Sequence, residues 1–447
     1  MQPVDTLIEA RWAVPVEPPG CVLDDVALVI DKGRILALLP RREAAQRFEP
    51  RERITRGSHV LIPGLINAHT HAAMTLLRGL ADDMPLMEWL ERHIWPAEAR
   101  WAGPDFVRDG AQLAMAEMLR GGITCFNDMY FFPDTVAAAA RECGMRVSVG
   151  LVVVDFPNAW AASPAECLTR GLEVHDSLRG DPLVSTVFAP HAPYTVDDDT
   201  LTKIRRLADE LELGIHMHVH ETAEEVRRGL ARDGRRPLAR LEALGLLGPG
   251  LQAVHMTQLD DDEIGRCAAT GVSVVHCPES NLKLASGICP VTRLLEAGVN
   301  VALGTDGAAS NNDLDMLGEM RTASLLAKGM TGDACALPAG QALWMATLGS
   351  ARALGLAADL GSLEAGKWAD VACIDLARCG TQPVHDPLAQ VVYAAGREQV
   401  SDVWVAGRQL VAGGCLTTMS ESTLLQNAAA WGERLAAPVP AARGVHQ

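Results

Sequence analysis

The chain has 447 residues, of which 48% are hydrophobic and 21% are charged. At about 150 residues per domain, this length predicts three domains, or one large α/β barrel with a smaller companion. The composition is near the globular average, so it excludes a disulfide-stapled mini-protein and a chain that is disordered throughout.

The charge balance indicates which kinds of partner the protein is unsuited to bind. Asp and Glu number 56 against 39 Lys and Arg, which gives a net charge of −17. Such a field repels phosphate backbones and anionic membranes, and no apolar stretch approaches the roughly 18 residues of a membrane helix. We therefore expect no nucleic-acid polymer and no membrane as a partner. The acidic N-terminal residues, which lack a basic leader region, lead us to expect a cytoplasmic protein.

From Val60 to Ala308, short apolar or β-branched runs alternate with longer helical stretches. This order is typical of βαβ units around a parallel sheet. The runs are eight in number, at residues 60–71, 123–130, 146–155, 184–193, 214–221, 252–257, 273–280 and 301–308. Because eight strands close a (β/α)8 barrel, the sequence predicts an α/β protein with a TIM-type barrel.

The stretches between these runs have helical periodicity. In residues 106–122 the apolar positions recur at helical spacing before a Gly121–Gly122 stop, and residues 200–214 repeat the pattern. A doubly wound open sheet has the same alternation, but no G-x-G-x-x-G follows an early strand. The barrel is therefore favoured over a dinucleotide-binding fold.

Both ends of the chain carry strand patterns outside the barrel. The run ALVIDKGRILAL predicts a β-hairpin that turns at residues 31–34, and residues 369–376 and 402–414 have similar patterns. Since each end has few strands, we expect one small β-sandwich domain assembled from both. The predicted divisions are 1–59 and 367–430 for this small domain, 60–366 for the catalytic barrel and 431–447 for a loose tail.

Metal-competent side chains cluster at the ends of the predicted barrel strands, where barrel enzymes build their active sites. They are His69 and His71 on strand one, His191 on strand four, His218, His220 and Glu221 on strand five, His255 on strand six, His276 on strand seven and Asp306 on strand eight.

His69 and His71 lie two residues apart, so on a strand they face the same side and can bind one ion. That pair alone fits two surface histidines equally well. With His218 and Asp306 added, three nitrogens and one carboxylate form a ligand set suited to Zn²⁺ or a similar divalent ion. The strand-five histidines are spaced two residues apart and therefore face the same side of the strand, so spacing does not select the ligand among His216, His218 and His220.

Five motifs together resemble the amidohydrolase superfamily, and within its cyclic-amidine deaminase branch the 5′-methylthioadenosine/S-adenosylhomocysteine deaminases. They are PGLINAHTH (63–71), HVHET (218–222), HCPESNLKL (276–284), LGTDGAASNN (303–312) and GSLEAGKWADVACIDL (361–376). The resemblance extends from the N-terminal hairpin to about Gly414.

The resemblance implies roles for individual residues. The implied metal ligands are His69, His71, His218 and Asp306. The implied catalytic residues are Glu221 as the acid/base beside the ring, His255 as the polariser of the attacking water and Asp306 as the acceptor of its proton. The implied substrate contacts are Trp89, Glu98, His191 and Glu221. Of these, Trp89 would equally suit a core position, Glu98 a solvated helix face and His191 a loop.

The resemblance also guides the metal count. Binuclear relatives bridge two ions with a carboxylated lysine on a barrel strand. The chain has five lysines, namely Lys32, Lys203, Lys283, Lys328 and Lys367. None of them ends a predicted barrel strand, so we expect one divalent ion, with Zn²⁺ as the first choice.

The implied reaction is hydrolytic deamination of an adenosine derivative, with a small purine nucleoside as the partner, and we expect a homo-oligomer. Relatives that accept S-adenosylhomocysteine hold its carboxylate with an arginine just beyond strand three. Here no arginine lies between Arg146 and Arg170, and the corresponding position, near Gly150–Leu151, is apolar. This favours 5′-methylthioadenosine over S-adenosylhomocysteine.

Other functions share this architecture. The alternatives are an S-adenosylhomocysteine or adenosine deaminase, a triazine chlorohydrolase, a guanine or 8-oxopurine deaminase, and a catalytically inactive amidohydrolase-like scaffold. Motifs around the metal do not separate the enzymes from one another. Retention of the whole set of ionisable site residues argues against the scaffold, because unsupported clusters of this kind are costly to bury.

Overall fold

The structure is a computed structural model that describes residues 1–436. The strands within this range are β1 (Gln2–Ala13), β2 (Leu23–Asp31), β3 (Arg34–Pro40), β4 (Phe48–Pro63), β5 (Leu65–Thr70), β6 (Ile123–Asp128), β7 (Arg146–Val153), β8 (Val184–Pro190), β9 (Ile215–Val219), β10 (Leu251–His255), β11 (Ser273–His276), β12 (Val301–Leu303), β13 (Val371–Asp375), β14 (Val400–Val405), β15 (Arg408–Ala412) and β16 (Cys415–Leu416).

The α-helices are α1 (Arg41–Arg47), α2 (Leu86–Trp89), α3 (Trp95–Trp101), α4 (Pro104–Arg120), α5 (Pro133–Cys143), α6 (Pro164–Ser177), α7 (Asp198–Leu211), α8 (Ala223–Asp233), α9 (Pro237–Ala243), α10 (Asp261–Thr270), α11 (Pro278–Lys283), α12 (Val291–Glu296), α13 (Met316–Thr331), α14 (Ala339–Trp344), α15 (Ser350–Ala353), α16 (Pro387–Tyr393) and α17 (Glu421–Ala436). Short 3₁₀ turns occupy Ala72–Leu77, Cys379–Thr381 and Arg397–Gln399, and π-helical turns occupy Leu90–Ile94 and Met345–Gly349.

Strands β5 to β12 form the predicted parallel barrel. They pair in chain order, and the helices between them provide the crossovers. At the seam between the last and the first strand, the Asp306 N–H donates to the His69 carbonyl at 3.0 Å. This near-closed, eight-stranded barrel confirms the predicted fold class and places Asp306 beside His69.

The first predicted barrel strand, residues 60–71, is divided in the structure. Val60–Pro63 end β4 of the other sheet, and the barrel strand begins at Leu65. Gly64 lies between them. The close approach of the Thr124 side chain leaves no room for a Cβ at this position, so the chain passes between the two sheets at a glycine. One continuous apolar run therefore serves two sheets.

The remaining strands form a mixed sheet from both ends of the chain, in the order β16-β15-β14-β13-β4-β1-β2-β3. The predicted hairpin is confirmed, with β2 and β3 antiparallel and a turn at Lys32–Gly33, where φ is 50° and 76°. Ile8 and Leu28 from the N-terminal part pack in one cluster with Val371 and Trp404 from the C-terminal part. The exact division into domains stays a prediction.

The two helices predicted in detail are confirmed as α4 and α7. Residues 431–436, assigned to the tail by the sequence, form the end of α17, and the rest of the predicted tail, 437–447, lies outside the described residues. None of the helices in residues 1–436 combines the length and apolar character needed to span a bilayer.

Candidate metal and active site

The four predicted ligands converge at the carboxyl ends of the barrel strands. The Asp306 Oδ1 lies 3.3 Å from His69 Nε2 and 3.2 Å from His71 Nε2, and the His218 Nε2 lies 3.2 Å from His69 Nε2. Ligands about 2.0–2.1 Å from a tetrahedral zinc ion are ~3.3–3.4 Å apart from one another. These distances, and the donor set of three nitrogens and one oxygen, therefore fit a zinc ion.

Each of the three histidines is oriented through its other ring nitrogen. The His71 Nδ1 lies 2.6 Å from the Met129 carbonyl, and the His218 Nδ1 lies 2.8 Å from the His191 carbonyl. The His69 Nδ1 contacts His216 Nε2 at 2.8 Å. A proton on each Nδ1 leaves the Nε2 lone pair facing the centre of the cluster, which is the arrangement of metal-binding histidines.

Asp306 is held from both sides of its carboxylate. Its Oδ1 accepts from the Gly307 N–H at 2.8 Å, and its Oδ2 accepts from the Ser280 hydroxyl at 2.6 Å. Burial alone would raise the pKa of Asp306, but hydrogen bonds from His69 and His71 outweigh it and hold that pKa well below the usual range. The carboxylate is therefore anionic and positioned as a ligand.

The two imidazoles that contact Asp306 respond differently. Burial lowers the pKa of His69 to about 4. For His71 burial is the largest effect and would lower the pKa, but the hydrogen bond and the negative charge of Asp306, with the Met129 carbonyl and Asp128, together outweigh it and raise the pKa to about 9. A divalent cation at the same place would replace the His71 proton as the partner of Asp306, since metal binding requires the neutral imidazole.

Glu221 and His255 stand next to the ligand cluster. Their Oε2 and Nε2 atoms are 3.9 Å apart, and the His255 ring stacks on His218 with a centroid distance of 5.5 Å. The His255 Nδ1 lies 2.8 Å from Asn281 Oδ1, an atom that only accepts, so the ring donates here and its Nε2 is left as an acceptor. Burial raises the pKa of Glu221, which favours a protonated carboxyl at higher pH than usual.

The backbone at Glu221 is clamped by residues that sequence analysis missed. The Glu225 carboxylate accepts from the N–H groups of His220 and Glu221 at 3.0 and 2.8 Å, and the Thr257 hydroxyl donates to the Glu221 carbonyl at 2.7 Å. Thr222 and Glu225 have the T-x-x-E spacing of a capping box, which was a usable signal. Here the glutamate reaches further back than the cap residue and fixes the strand end.

Ser280 and Asn281 were also missed as individual residues. They lie in the quoted HCPESNLKL motif, and they contact Asp306 and His255 respectively. Two small polar residues a few positions after an apolar strand were the available signal. The structure thus accounts for this motif as the support of two site residues.

The expected substrate contacts Trp89, Glu98 and His191 all line one cleft with the ligand cluster, and the cleft contains about 810 Å³ of empty space. The Trp89 indole N–H donates to the Ala81 carbonyl at 3.1 Å, so the ring presents only its apolar surface. Burial raises the pKa of Glu98 to about 7, against an opposing effect of the Tyr130 hydroxyl. Burial lowers the pKa of His191 to about 3, so this imidazole is neutral.

One wall of the cleft is apolar. It includes Val152, Val154 and Phe156 at and beyond the end of β7, together with Trp95 and Phe131. The Phe156 and Trp95 rings are 6.1 Å apart. Among the residues in 1–436 that line the cleft, none is lysine or arginine. A negatively charged substrate group would find no cationic partner there.

The other histidines of strands five and seven are not ligands in this geometry. His220 turns away, and its Nε2 accepts from the Leu238 N–H at 3.1 Å. His216 lies beneath His69 and adjoins Asn127. His276 is buried, and its Nδ1 has no hydrogen-bond partner within the part of the chain that the structure describes.

Comparisons with known proteins agree with this geometry. A sequence profile of the amidohydrolase family matches residues 60–410. The 5-methylthioadenosine/S-adenosylhomocysteine deaminase of Teredinibacter turnerae is 51% identical over 434 residues, which cover 97% of this chain and 98% of the relative.

Two solved structures extend the comparison. An adenosine deaminase from Xanthomonas campestris with bound zinc has a TM-score of 0.96 and 55% identity, and the match covers 97% of this chain and 99% of that one. The zinc-bound atrazine chlorohydrolase of Arthrobacter aurescens has a TM-score of 0.89 at 25% identity, over 95% and 99% of the two chains. With its barrel, its ligand cluster and full-length relatives of this identity, the chain belongs to the amidohydrolase family.

Proposed function

We propose that the protein is a metal-dependent aminohydrolase that converts 5′-methylthioadenosine to 5′-methylthioinosine and ammonia. The observation that carries this proposal is the ligand cluster of His69, His71, His218 and Asp306, with Glu221 and His255 beside it in an apolar cleft. The full-length relative at 51% identity that is named as a 5-methylthioadenosine/S-adenosylhomocysteine deaminase supports it.

In the proposed mechanism His69, His71, His218 and Asp306 hold one divalent ion, with zinc as the first choice. When bound, such an ion acts as a Lewis acid and lowers the pKa of a coordinated water to about 7. The zinc in the related adenosine deaminase structure supports this choice of metal.

Two carboxyl groups, those of Asp306 and Glu221, transfer protons in this mechanism. Asp306 takes the proton of the attacking water, because its anionic carboxylate lies at the ligand cluster and Ser280 and Gly307 fix its orientation. Glu221 gives a proton to the ring nitrogen next to the reacting carbon, since burial raises its pKa and so favours the protonated form. This proton neutralises the charge that develops on the ring. Ammonia then leaves when the bond between the reacting carbon and the exocyclic nitrogen breaks: Asp306 gives the proton it took to that nitrogen, and the new hydroxyl returns a proton to Glu221 as it becomes the carbonyl.

His255 orients the attacking water. Its Nδ1 donates to Asn281, so its Nε2 offers a lone pair to a water O–H at the cluster. The ring is fixed by stacking on His218. A fixed acceptor of this kind sets the direction from which the water attacks. Because the water is already oriented, less entropy is lost on reaching the transition state, and the activation free energy is lower.

The nucleoside is held by residues of two segments, the one after β5 and the loop after β8. We assign Trp89 to the apolar surface of the nucleoside, Glu98 to the ribose hydroxyls and His191 to the edge between purine and sugar. All three line the cleft that contains the ligand cluster. The neutral His191 ring can donate or accept a hydrogen bond there.

The apolar wall around Val154 and Phe156 sets the preference for the 5′ group. A methylthio group gains free energy when it leaves water for such a wall. The carboxylate of S-adenosylhomocysteine would lose hydration without meeting a cation. We therefore expect the highest kcat/KM for 5′-methylthioadenosine, a lower value for adenosine and the lowest for S-adenosylhomocysteine.

Ammonia release from the three nucleosides tests this order, because kcat/KM measures differential binding of the transition state. Phe156→Arg, placed beyond the end of β7, should move the preference toward S-adenosylhomocysteine, while the control Phe156→Leu should not. Preference of the wild type for S-adenosylhomocysteine would contradict the proposal, as would chlorotriazine turnover without deamination of any adenosine derivative. We also propose a homo-oligomer, which light scattering tests.

A further inference from the structure

Lys283 lies in the HCPESNLKL motif, and the chemistry proposed above does not use it. It is the last residue of α11, and the next residue, Leu284, lines the cleft. Its ammonium donates to the Asp82 carboxylate at 2.6 Å, to the Asn312 side-chain oxygen, and to the Ala309 carbonyl at 3.4 Å. One cation therefore joins the loops that follow three different barrel strands.

These loops carry different parts of the site. Asp82 belongs to the long segment after β5, residues 72–101, which also carries Trp89 and Glu98. Ala309 and Asn312 belong to the loop after β12, which begins with the ligand Asp306. Lys283 itself follows Ser280 and Asn281, the supports of Asp306 and His255.

The outer part of the segment has few polar ties to the rest of the protein. Within the described structure, the hydrogen bonds of residues 79–91 are mostly internal, such as the one from the Trp89 indole to Ala81. The ion pair that connects these residues to another loop is the one between Asp82 and Lys283. Both side chains are partly shielded, with 36% and 23% of their surface exposed.

The charges at this contact are complementary. The Lys283 ammonium, through its hydrogen bond, holds the pKa of Asp82 below the usual value. A lysine ammonium has three N–H donors and no acceptor, and here each donor has one oxygen acceptor within reach. A neutral side chain of similar length would lose all three bonds and leave the acceptors unpaired.

We infer that Lys283 is a positioning residue that fastens the nucleoside-binding segment 79–101 to the loops of the metal site. It touches neither the ligand cluster nor the residues assigned to proton transfer. It acts through Asp82, which fixes the path of the chain that leads to Trp89 and Glu98. The inference rests on the proposed function for its effect on substrate, and on geometry alone for its effect on the segment.

Kinetics separate this role from a purely structural one. Lys283→Met and Asp82→Asn should each raise KM for 5′-methylthioadenosine on the order of tenfold, with kcat changed less than twofold, because only the binding segment is released. The double variant should resemble Lys283→Met, since the contact with Asp82 is already lost in that variant. Lys283→Arg, which keeps the charge, should restore most of the affinity, and Lys203→Met on α7 serves as the control.

Limited proteolysis tests the fastening independently of the substrate. Arg92 and Arg100 in the segment are exposed, and trypsin should cleave after them several-fold faster in Lys283→Met than in the wild type or in Lys203→Met. An unchanged rate of cleavage in Lys283→Met would refute the claim that Lys283 fastens this segment. Faster cleavage with unchanged KM overturns the link to substrate binding. A wild type that deaminates no adenosine derivative refutes the proposed function instead, and cleavage then decides the fastening alone.

Discussion

Gly304 directly follows β12, and a substitution at this position would disturb the geometry of the metal ligands without replacing any of them. A Cβ at this position would lie 2.8 Å from the His69 nitrogen and 2.9 Å from the His69 Cβ. Favourable contacts between such atoms begin near 3.5 Å. In Gly304→Ala the ends of β12 and β5 must therefore separate by roughly half an ångström.

The expected magnitude follows from what these strand ends carry. Overpacking of this kind costs about 1–3 kcal/mol, and it acts between His69 and the loop that holds Asp306, whose ligand atoms are 3.3 Å apart. Disturbance of the groups that orient metal ligands typically weakens metal binding by about 10–100-fold. We expect a loss of zinc affinity in this range and a lower kcat/KM even with excess zinc.

Competition with a chelator of known affinity measures the zinc dissociation constant of each variant. The matched control is Gly265→Ala in α10, where an added Cβ meets nothing within 4 Å. This control should keep the zinc affinity and gain up to about 1 kcal/mol in the free energy of unfolding. Wild-type zinc affinity and wild-type kcat/KM in Gly304→Ala would refute the reasoning.

Elemental analysis should find one divalent ion per chain, and rigorous chelation should abolish activity; two stoichiometric ions or an active metal-free protein would contradict this. Glu221→Gln and Asp306→Asn should lower kcat by on the order of 10²-fold or more while the protein stays folded, and a near-normal kcat in a metal-loaded variant would disprove that residue's role. Asp402→Asn should destabilise the fold by about 1.5–3 kcal/mol near pH 7, since it removes the charge from a partly buried pair in which Arg56 donates two hydrogen bonds. Although burial opposes it, this pairing lowers the pKa of Asp402, so the stabilisation is present above the unfolded pKa and is lost as the pH falls through the folded pKa. Chemical denaturation of both proteins should therefore show a smaller difference at pH 3 than at pH 7, and an equal difference at both would contradict the argument.

The barrel could be predicted from the sequence because each of its strands is an apolar run that ends in polar residues. Such runs set both the number of strands and the rim at which the site opens. The boundary at Gly64 could not be predicted in this way. It depends on the close approach of Thr124, a residue about 60 positions away in sequence, and no local pattern reports a contact of that kind.

The ligands and their supports differ in how far the sequence reveals them. His69 and His71 follow from period two, and Asp306 follows from its place after the last strand. Glu225 and Asn281 act on atoms of other segments, namely the N–H groups at the end of β9 and the ring of His255. Their side-chain types are common on the surface, so their roles emerge only when the fold brings these partners together.

The three histidines of β9 show what periodicity leaves open. His216, His218 and His220 share one parity, yet each lies at a different depth along the barrel. In the ladder with β10, His216 pairs with Gln252 and His218 with Val254, one residue below His255. His218 is thus level with the site, while His216 is one layer deeper, where it orients His69.

His220 lies beyond the regular strand with a φ of 54°, a left-handed conformation that turns its ring outward. Parity fixes which face of a strand a side chain occupies, but depth depends on the register with neighbouring strands and on where the strand ends. Both are settled by non-local contacts, here the clamp of Glu225 on the backbone of residues 220 and 221. The choice of His218 as the ligand therefore has a physical basis that single-strand periodicity does not contain.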